Sequence, residues 1–131
     1  MPSAIPPEFM SDPQTPIVVV SKLGDAGVDF LDTLRSCLAI LASNSGCMGI
    51  ELGRSMDSES EFVLVSRWDN VGSYRKALSN YQVKSEVIPF ISMHTKDSFT
   101  GEVIETGNVS GSESFPSALA EDAFTYERGN T

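Results

Sequence analysis

The chain has 131 residues, a formal net charge of −9 and a pI of about 4.4. This length indicates one domain, and the acidic balance argues against nucleic acid and membrane partners, because both need a basic patch. No run approaches the roughly 20 apolar residues of a membrane span. The first residues lack the basic and apolar regions of a secretion signal, so we expect a cytoplasmic protein.

The N-terminal part predicts an arm, a strand and a helix. Residues 1–15 are proline-rich and are expected to form a flexible arm, with residues 1–9 an expression remnant if Met10 is the native start. The β-branched run from Ile17 predicts a central strand to about Leu23. Apolar residues spaced by three and four then predict a helix with one buried stripe, made of Val28, Leu31, Leu34, Leu38 and Leu41. Gly46 is expected to end this helix in the left-handed conformation.

The stretch from Gly46 to Leu78 predicts two strands, a polar turn and a helix. The first strand places three apolar side chains on one face: Met48, Ile50 and Leu52. After the turn at residues 56–60, the second strand places four side chains on one face: Phe62, Leu64, Ser66 and Trp68. Asp69 and Asn70 then offer a cap for a short helix, residues 71–78.

The C-terminal part predicts a further helix, a last strand and a tail. Residues 81–93 are apolar and helical in rhythm, but Pro89 predicts a kink or two short segments. Residues 98–104 alternate as a strand. Residues 106–131 form an acidic Gly/Ser-rich tail that is either disordered or docked through its aromatic residues on the dimer, with one or two helical turns between Ser117 and Phe124.

The element order is β-α-β-β-α-(α)-β, which predicts an α+β, ferredoxin-like domain over residues 16–105. Its helices cover one face of an antiparallel sheet, and no helix is left for the other apolar face. The economical solution is a second copy of the chain, so we expect a homodimer that closes a dimeric α+β barrel.

The sequence offers little conventional catalytic chemistry. Cys37 and Cys47 lack metal-ligand spacing and predict two reduced thiols, with a helix-to-strand disulfide as the alternative. His94, the single histidine, is expected to be solvated at a helix end. No metal site, nucleophile elbow, phosphate loop or dinucleotide fingerprint is present in the sequence.

Three segments resemble the antibiotic biosynthesis monooxygenase (ABM) family: GCMGIELGRS, VSRWDNVGSYRKAL and YQVKSEVIPF. The resemblance covers about residues 16–104 and implies the dimeric barrel. It also implies oxygenases that need no cofactor and convert phenols or anthrones to quinones. Their strand tryptophan and helix tyrosine match Trp68 and Tyr74, while their strand asparagine is replaced by Leu64. Haem-degrading relatives need a histidine and an asparagine that this chain lacks at the matching places.

The resemblance therefore suggests Trp68 and Tyr74 as catalytic residues. An apolar or aromatic molecule between sheet and helices would contact five further residues: Ile50, Phe62, Leu64, Leu78 and Phe90. The structural alternatives are that Trp68 only fills the gap between sheet and helix and that Tyr74 only packs on Leu78. Two functions follow. One is a cofactor-independent monooxygenase of a small polyketide- or quinol-like substrate, and the other is a non-catalytic barrel that binds an apolar molecule.

Overall fold

A computed structural model describes residues 15–24 and 27–117. The strands of the main sheet are β1 (Ile17–Gly24), β2 (Cys47–Arg54), β3 (Glu61–Trp68) and β4 (Thr95–Glu102). The helices are α1 (Phe30–Ala42), α2 (Val71–Leu78) and α3 (Ile88–His94), which continues a π-helical turn at Val83–Val87. A small hairpin follows, made of β5 (Glu105–Asn108) and β6 (Gly111–Ser114). None of the helices in these ranges is long and apolar enough to span a membrane.

The four strands of the main sheet are antiparallel and lie in the order β2-β3-β1-β4. This order places β1 and β3, the first strand of each half, at the centre of the sheet and β2 and β4 at its edges, as in a ferredoxin-like fold. The predicted fold class is therefore confirmed. Alternation along β1 and β3 turns one set of side chains toward the helices, and that set forms most of the core: Ile17, Leu23, Phe62, Leu64 and Trp68.

Helix α1 begins later than the sequence predicted, and its buried stripe is rotated. Val28 precedes the helix and is 96 % exposed. The buried positions follow the same spacing but start from Phe30: Phe30, Leu34, Cys37 and Leu41. The prediction that Val28 belongs to the stripe was wrong, because the large side chain of Phe30 takes the core position at the start of the helix.

The end of α1 also differs from the prediction. Gly46 does not adopt the left-handed conformation, and in the described ranges only Gly111 has a positive φ. The side-chain amide of Asn44 instead donates to the carbonyl oxygens of Ile40 and Leu41, at 3.0 and 3.2 Å. These bonds satisfy carbonyls that a left-handed glycine would otherwise help to satisfy.

Helix α2 starts where the sequence placed it. Asn70 is extended, and its side-chain oxygen accepts from the backbone N–H of Ser73 at 2.8 Å. This is the expected N-cap bond for an unpaired amide in the first turn. It turns the chain sharply after Trp68, so that Tyr74 on α2 returns over the end of β3.

The segment from residue 81 to His94 contains the predicted irregularity. Its middle is the π-helical turn, and Pro89 lies in the first turn of α3, where a missing N–H is tolerated. Val83 and Val87, the first and last residues of this turn, are both buried in the core. This segment therefore closes over the sheet beside α2.

The hairpin β5–β6 was not predicted. Phe115 N–H donates to the carbonyl of Ile104 at 2.9 Å, and the hydroxyl of Thr15 donates to the carbonyl of Pro116. These bonds attach the segment after the hairpin to the body of the domain. The predicted arm, apart from Thr15, and most of the predicted helical turns after Ser117 lie outside the described residues.

Candidate functional site

A cavity of about 280 Å³ lies between the inner face of the sheet and the helices. Strands β1 and β3 form its floor, and α1, α2, the π-helical turn and α3 form its walls. Most of the lining residues are apolar: Val19, Leu41, Leu64, Trp68, Tyr74, Leu78, Val83, Val87, Ile88 and Ile91. Its volume is just below the roughly 300–1,000 Å³ of ordinary ligand pockets, so it suits a compact ligand.

Trp68 forms one end of this cavity. Its side chain is fully buried, and its ring lies 5.6 Å from the ring of Tyr74 at an angle of 52°. The indole Nε1–H donates to Oγ of Ser66 at 2.9 Å. Trp68 is thus a core residue that borders the cavity with no surface of its own open to solvent, and its N–H already has a partner.

The polar groups of the cavity are all neutral hydroxyls. They belong to Ser21, Ser66, Tyr74 and Ser92, and no charged side chain is among the lining residues that the structure describes. Arg67 lies exposed on the opposite face of the sheet. Arg54 lies over the ring of Phe62, 5.1 Å from its centre, outside the cavity. A ligand here is therefore held by shape, apolar contact and neutral hydrogen bonds.

The structure brings four of the predicted site residues together and leaves three elsewhere. Trp68, Tyr74, Leu64 and Leu78 line the cavity. The other three are not among its lining residues: Ile50, Phe62 and Phe90. Alternation predicts which face a side chain occupies but not how far along the strand the cavity extends.

Phe62 and Phe90 belong to an aromatic cluster, which also contains Phe30 and His94. The ring of Phe30 lies 5.5 Å from Phe62 and 5.3 Å from Phe90. His94 lies 5.0 Å from Phe30 in an edge-on arrangement and 4.7 Å from Phe90. The histidine is therefore half-buried against aromatic rings, where the sequence predicted a solvated side chain.

Both cysteines are free thiols, as expected. Cys37 is buried on α1, and burial raises the pKa of its thiol, with the carboxylate of Glu86 adding to the shift. Cys47 is partly exposed at the start of β2. Neither thiol lines the cavity, and in the described ranges no three His, Cys, Asp or Glu residues are grouped to hold a metal ion.

Sequence reasoning missed the two buried serines on the cavity floor. Ser21 and Ser66 occupy inward positions of strands that are otherwise apolar on that face. This was a usable signal, since a polar residue at a core position needs a partner or a purpose. The alternation was interpreted only as a strand pattern.

A larger groove of about 500 Å³ lies at the other end of the sheet. It is lined by charges of both signs, among them Lys22, Arg54, Glu61 and Asp97. A groove lined by charges of both signs lacks the apolar character of an organic ligand pocket. The smaller cavity beside Trp68 is therefore the candidate site.

Comparison with known proteins shows similarity in sequence and fold. Residues 24–85 match the family model of antibiotic biosynthesis monooxygenase. The cofactor-independent oxygenase SnoaB from Streptomyces nogalater has a similar structure, with a TM-score of 0.60, 16 % identity, and coverage of 72 % of this chain and 97 % of SnoaB. A SnoaB variant with asparagine replaced by alanine gives a TM-score of 0.57 at 18 % identity, with coverage of 68 % and 91 %.

A conserved protein from Methanosarcina mazei Go1 is also similar, with a TM-score of 0.56, 17 % identity, and coverage of 69 % of this chain and 92 % of that protein. No curated protein sequence matches the chain. The fold and cavity define a ferredoxin-like α+β domain with an apolar pocket between sheet and helices. The matched segment, residues 24–85, is similar to the antibiotic biosynthesis monooxygenase family, as the sequence indicated.

Proposed function

We propose that the chain is a cofactor-independent monooxygenase of a small aromatic, polyketide- or quinol-like substrate. The observation that carries this proposal is the apolar cavity whose end wall is formed by Trp68 and Tyr74. These are the two residues that match the tryptophan and tyrosine of the family's oxygenases. The structural similarity to the cofactor-independent oxygenase SnoaB supports the proposal at the level of fold.

The chemistry requires little from the protein. An anthrone or phenol that loses a proton becomes an electron-rich anion and passes one electron to dioxygen. The resulting radical and superoxide combine into a carbon-bound peroxide, which takes up a proton and loses water to leave a ketone. One oxygen atom enters the product and the other leaves as water.

The described residues fit a holding and shielding role in this reaction. The apolar walls keep the flat ring in place and exclude water, and the hydroxyls offer neutral hydrogen bonds to the anion. Leu64 lines the cavity where the family's oxygenases have an asparagine, so no amide acts there. The first proton passes to water at the open side of the cavity, because no carboxylate, histidine or lysine is among the described lining residues.

The apolar cavity beside Trp68 and Tyr74 also favours a second function, that of a non-catalytic carrier of an apolar molecule. A cavity without an acid–base group other than the Tyr74 phenol binds a ring well but gives little direct assistance to proton transfer. In this function the family's fold provides the binding site and no reaction follows.

We also propose that the chain acts as a homodimer. Register and alternation place five apolar side chains on the face of the sheet away from the helices: Val18, Val20, Val63, Val65 and Phe99. Phe99 is 60 % exposed, and no described helix covers this face. A second sheet of the same kind would bury the patch and complete the barrel.

Oxygen uptake tests the choice between the two functions. The wild-type protein is expected to consume dioxygen with at least one compound of an anthrone and hydroquinone panel. Tyr74→Phe and Trp68→Phe are expected to reduce the rate roughly tenfold or more, since one hydrogen bond or ring contact in a transition state is worth about 1.4 kcal/mol. Tyr81→Phe, at an exposed tyrosine outside the cavity, is the matched control. No uptake above background, with binding retained, would leave the carrier function.

A further inference from the structure

The hydrogen bond from Trp68 determines how the hydroxyl of Ser66 can bond to other groups. An indole N–H can only donate, so Oγ of Ser66 must accept the 2.9 Å bond. The hydroxyl proton of Ser66 is then left to donate elsewhere. Ser66 is only 5 % exposed and lines the cavity, and in the described ranges its proton has no acceptor.

Ser21 provides a second hydroxyl on the same floor. In the antiparallel pairing of β1 and β3, Ser21 lies opposite Leu64 while Ser66 lies opposite Val19. The two serines are therefore diagonal neighbours on one face of the sheet. Ser21 is 9 % exposed, lines the cavity, and has no hydrogen-bond partner among the described residues.

In the described ranges no fully buried side-chain oxygen lacks a hydrogen-bond partner, so the unpaired Oγ of Ser21 opens to the cavity. A buried hydroxyl without a partner is unfavourable, and most such groups in folded proteins are satisfied. The other polar groups, Tyr74 and Ser92, project from the helices on the wall rather than from the floor. The cavity floor therefore offers a ligand one polar site, which consists of the neighbouring hydroxyls of Ser21 and Ser66.

We propose that Ser21 and Ser66 together dock the oxygen substituent of the ligand, a phenolic hydroxyl or ring ketone. Ser66 donates to that oxygen, and Trp68 strengthens this donor by bonding to Oγ of the same serine. Ser21 accepts from a phenol or donates to a ketone or phenolate. This inference rests on the proposed cavity function and narrows its substrate class to compact, uncharged aromatics with an oxygen at one end.

This arrangement also changes the role that we propose for Trp68. Its N–H does not point at the ligand but positions Ser66, while its ring closes the end of the cavity. Replacing Ser66 by alanine would leave that N–H buried without a partner and would destabilise the protein. Replacing Ser21 removes a hydroxyl that bonds to nothing in the described ranges, so Ser21→Ala is expected to fold normally.

The test compares a naphthol with the methylnaphthalene that carries a methyl group at the same ring position. Titration calorimetry under anaerobic conditions measures binding without any turnover. The wild-type protein is expected to bind the naphthol about tenfold more tightly. Ser21→Ala should lower this preference several-fold and leave methylnaphthalene affinity unchanged. Ser66→Ala should act in the same way, and Ser66→Thr should restore the preference.

Ser98→Ala is the matched control, because Ser98 lies opposite Ser21 on β4 but is exposed and outside the cavity. Equal binding of the two compounds by the wild type, or an unchanged preference in Ser21→Ala, would overturn the inference. Binding of neither compound would overturn it as well. If the protein prefers the naphthol but consumes no oxygen, the docking site is supported and only the oxygenase function is rejected.

Discussion

At the scale of single residues, the surroundings of a side chain decide its chemistry more than its type does. The N–H of Trp68 donates a hydrogen bond to Ser66, and His94 packs against aromatic rings. The two cysteines show the same contrast, because one is buried in the core and the other is partly exposed at a strand end. Each of these environments can be tested without knowledge of the ligand.

Thiol labelling tests the environment of the cysteines. At mildly alkaline pH, Cys47 is expected to react with a thiol reagent within minutes, whereas Cys37 should react only through opening of the fold. Stopped-flow absorbance with the native protein should show one fast thiol per chain. Cys47→Ser should remove the fast phase, while Cys37→Ser should retain it. Two equally fast thiols in the wild type would contradict the burial of Cys37.

The raised pKa of Cys37 also predicts a pH dependence of stability. The buried thiol stays protonated in the folded chain, while in the unfolded chain it ionises at its ordinary pKa of 9.0. This contribution to the free energy of unfolding is present below that pH and is lost as the pH rises from it toward the folded-state pKa. Urea unfolding across this range should show a smaller decline for Cys37→Ala than for the wild type.

At the scale of elements, close approach rather than turn conformation explains why Gly46 is a glycine. A Cβ atom at Gly46 would lie 2.2 Å from Cβ of Ser73 in α2. The backbone carbonyl of Gly46 also accepts from the N–H of Asp69 at 2.9 Å, which ties the start of β2 to the end of β3. The glycine therefore lets α2 lie directly against the start of the hairpin.

Substitution of this glycine should loosen α2. Gly46→Ala is expected to lower the free energy of unfolding by about 1–3 kcal/mol, as for other overpacked sites. Gly49→Ala is the matched control, because a Cβ there meets no atom within 4 Å. Chemical denaturation of both variants checks the difference. A Gly46→Ala protein as stable as Gly49→Ala would contradict the close packing of α2.

The elements themselves could largely be predicted from sequence patterns. Strands β1 to β3, the Asn70 cap and the irregular segment around Pro89 lie where alternation, capping and the proline ring placed them. The start of α1 could not be placed, because Val28 and Phe30 both fit an apolar helix pattern. Phe62 was placed on the correct face of its strand, but the distance of Phe62 and Phe90 from the cavity depends on tertiary packing. Ser21 and Ser66 had a visible signal that was not used.

At the scale of the whole molecule, the uncovered face of the sheet predicts a homodimer. Val65→Glu, near the centre of the apolar patch, is expected to abolish the dimer, because its charge would be buried without a partner. Val28→Glu makes the same substitution at a valine that is exposed before α1, and should leave association unchanged. Sedimentation equilibrium at micromolar concentration measures the mass. A wild-type monomer would rule out the barrel.

Occupation of the cavity beside Trp68 by an aromatic molecule is the central claim, and the chain's single tryptophan reports on it directly. The measurement is titration of the tryptophan fluorescence with a naphthoquinone, a quencher that acts at contact. We predict saturable quenching with one ligand per chain. Leu64→Phe should abolish it by filling the cavity, and Ile50→Phe, on the same face but outside the cavity, should retain it. Absent quenching, or equal quenching in all three proteins, would contradict the account.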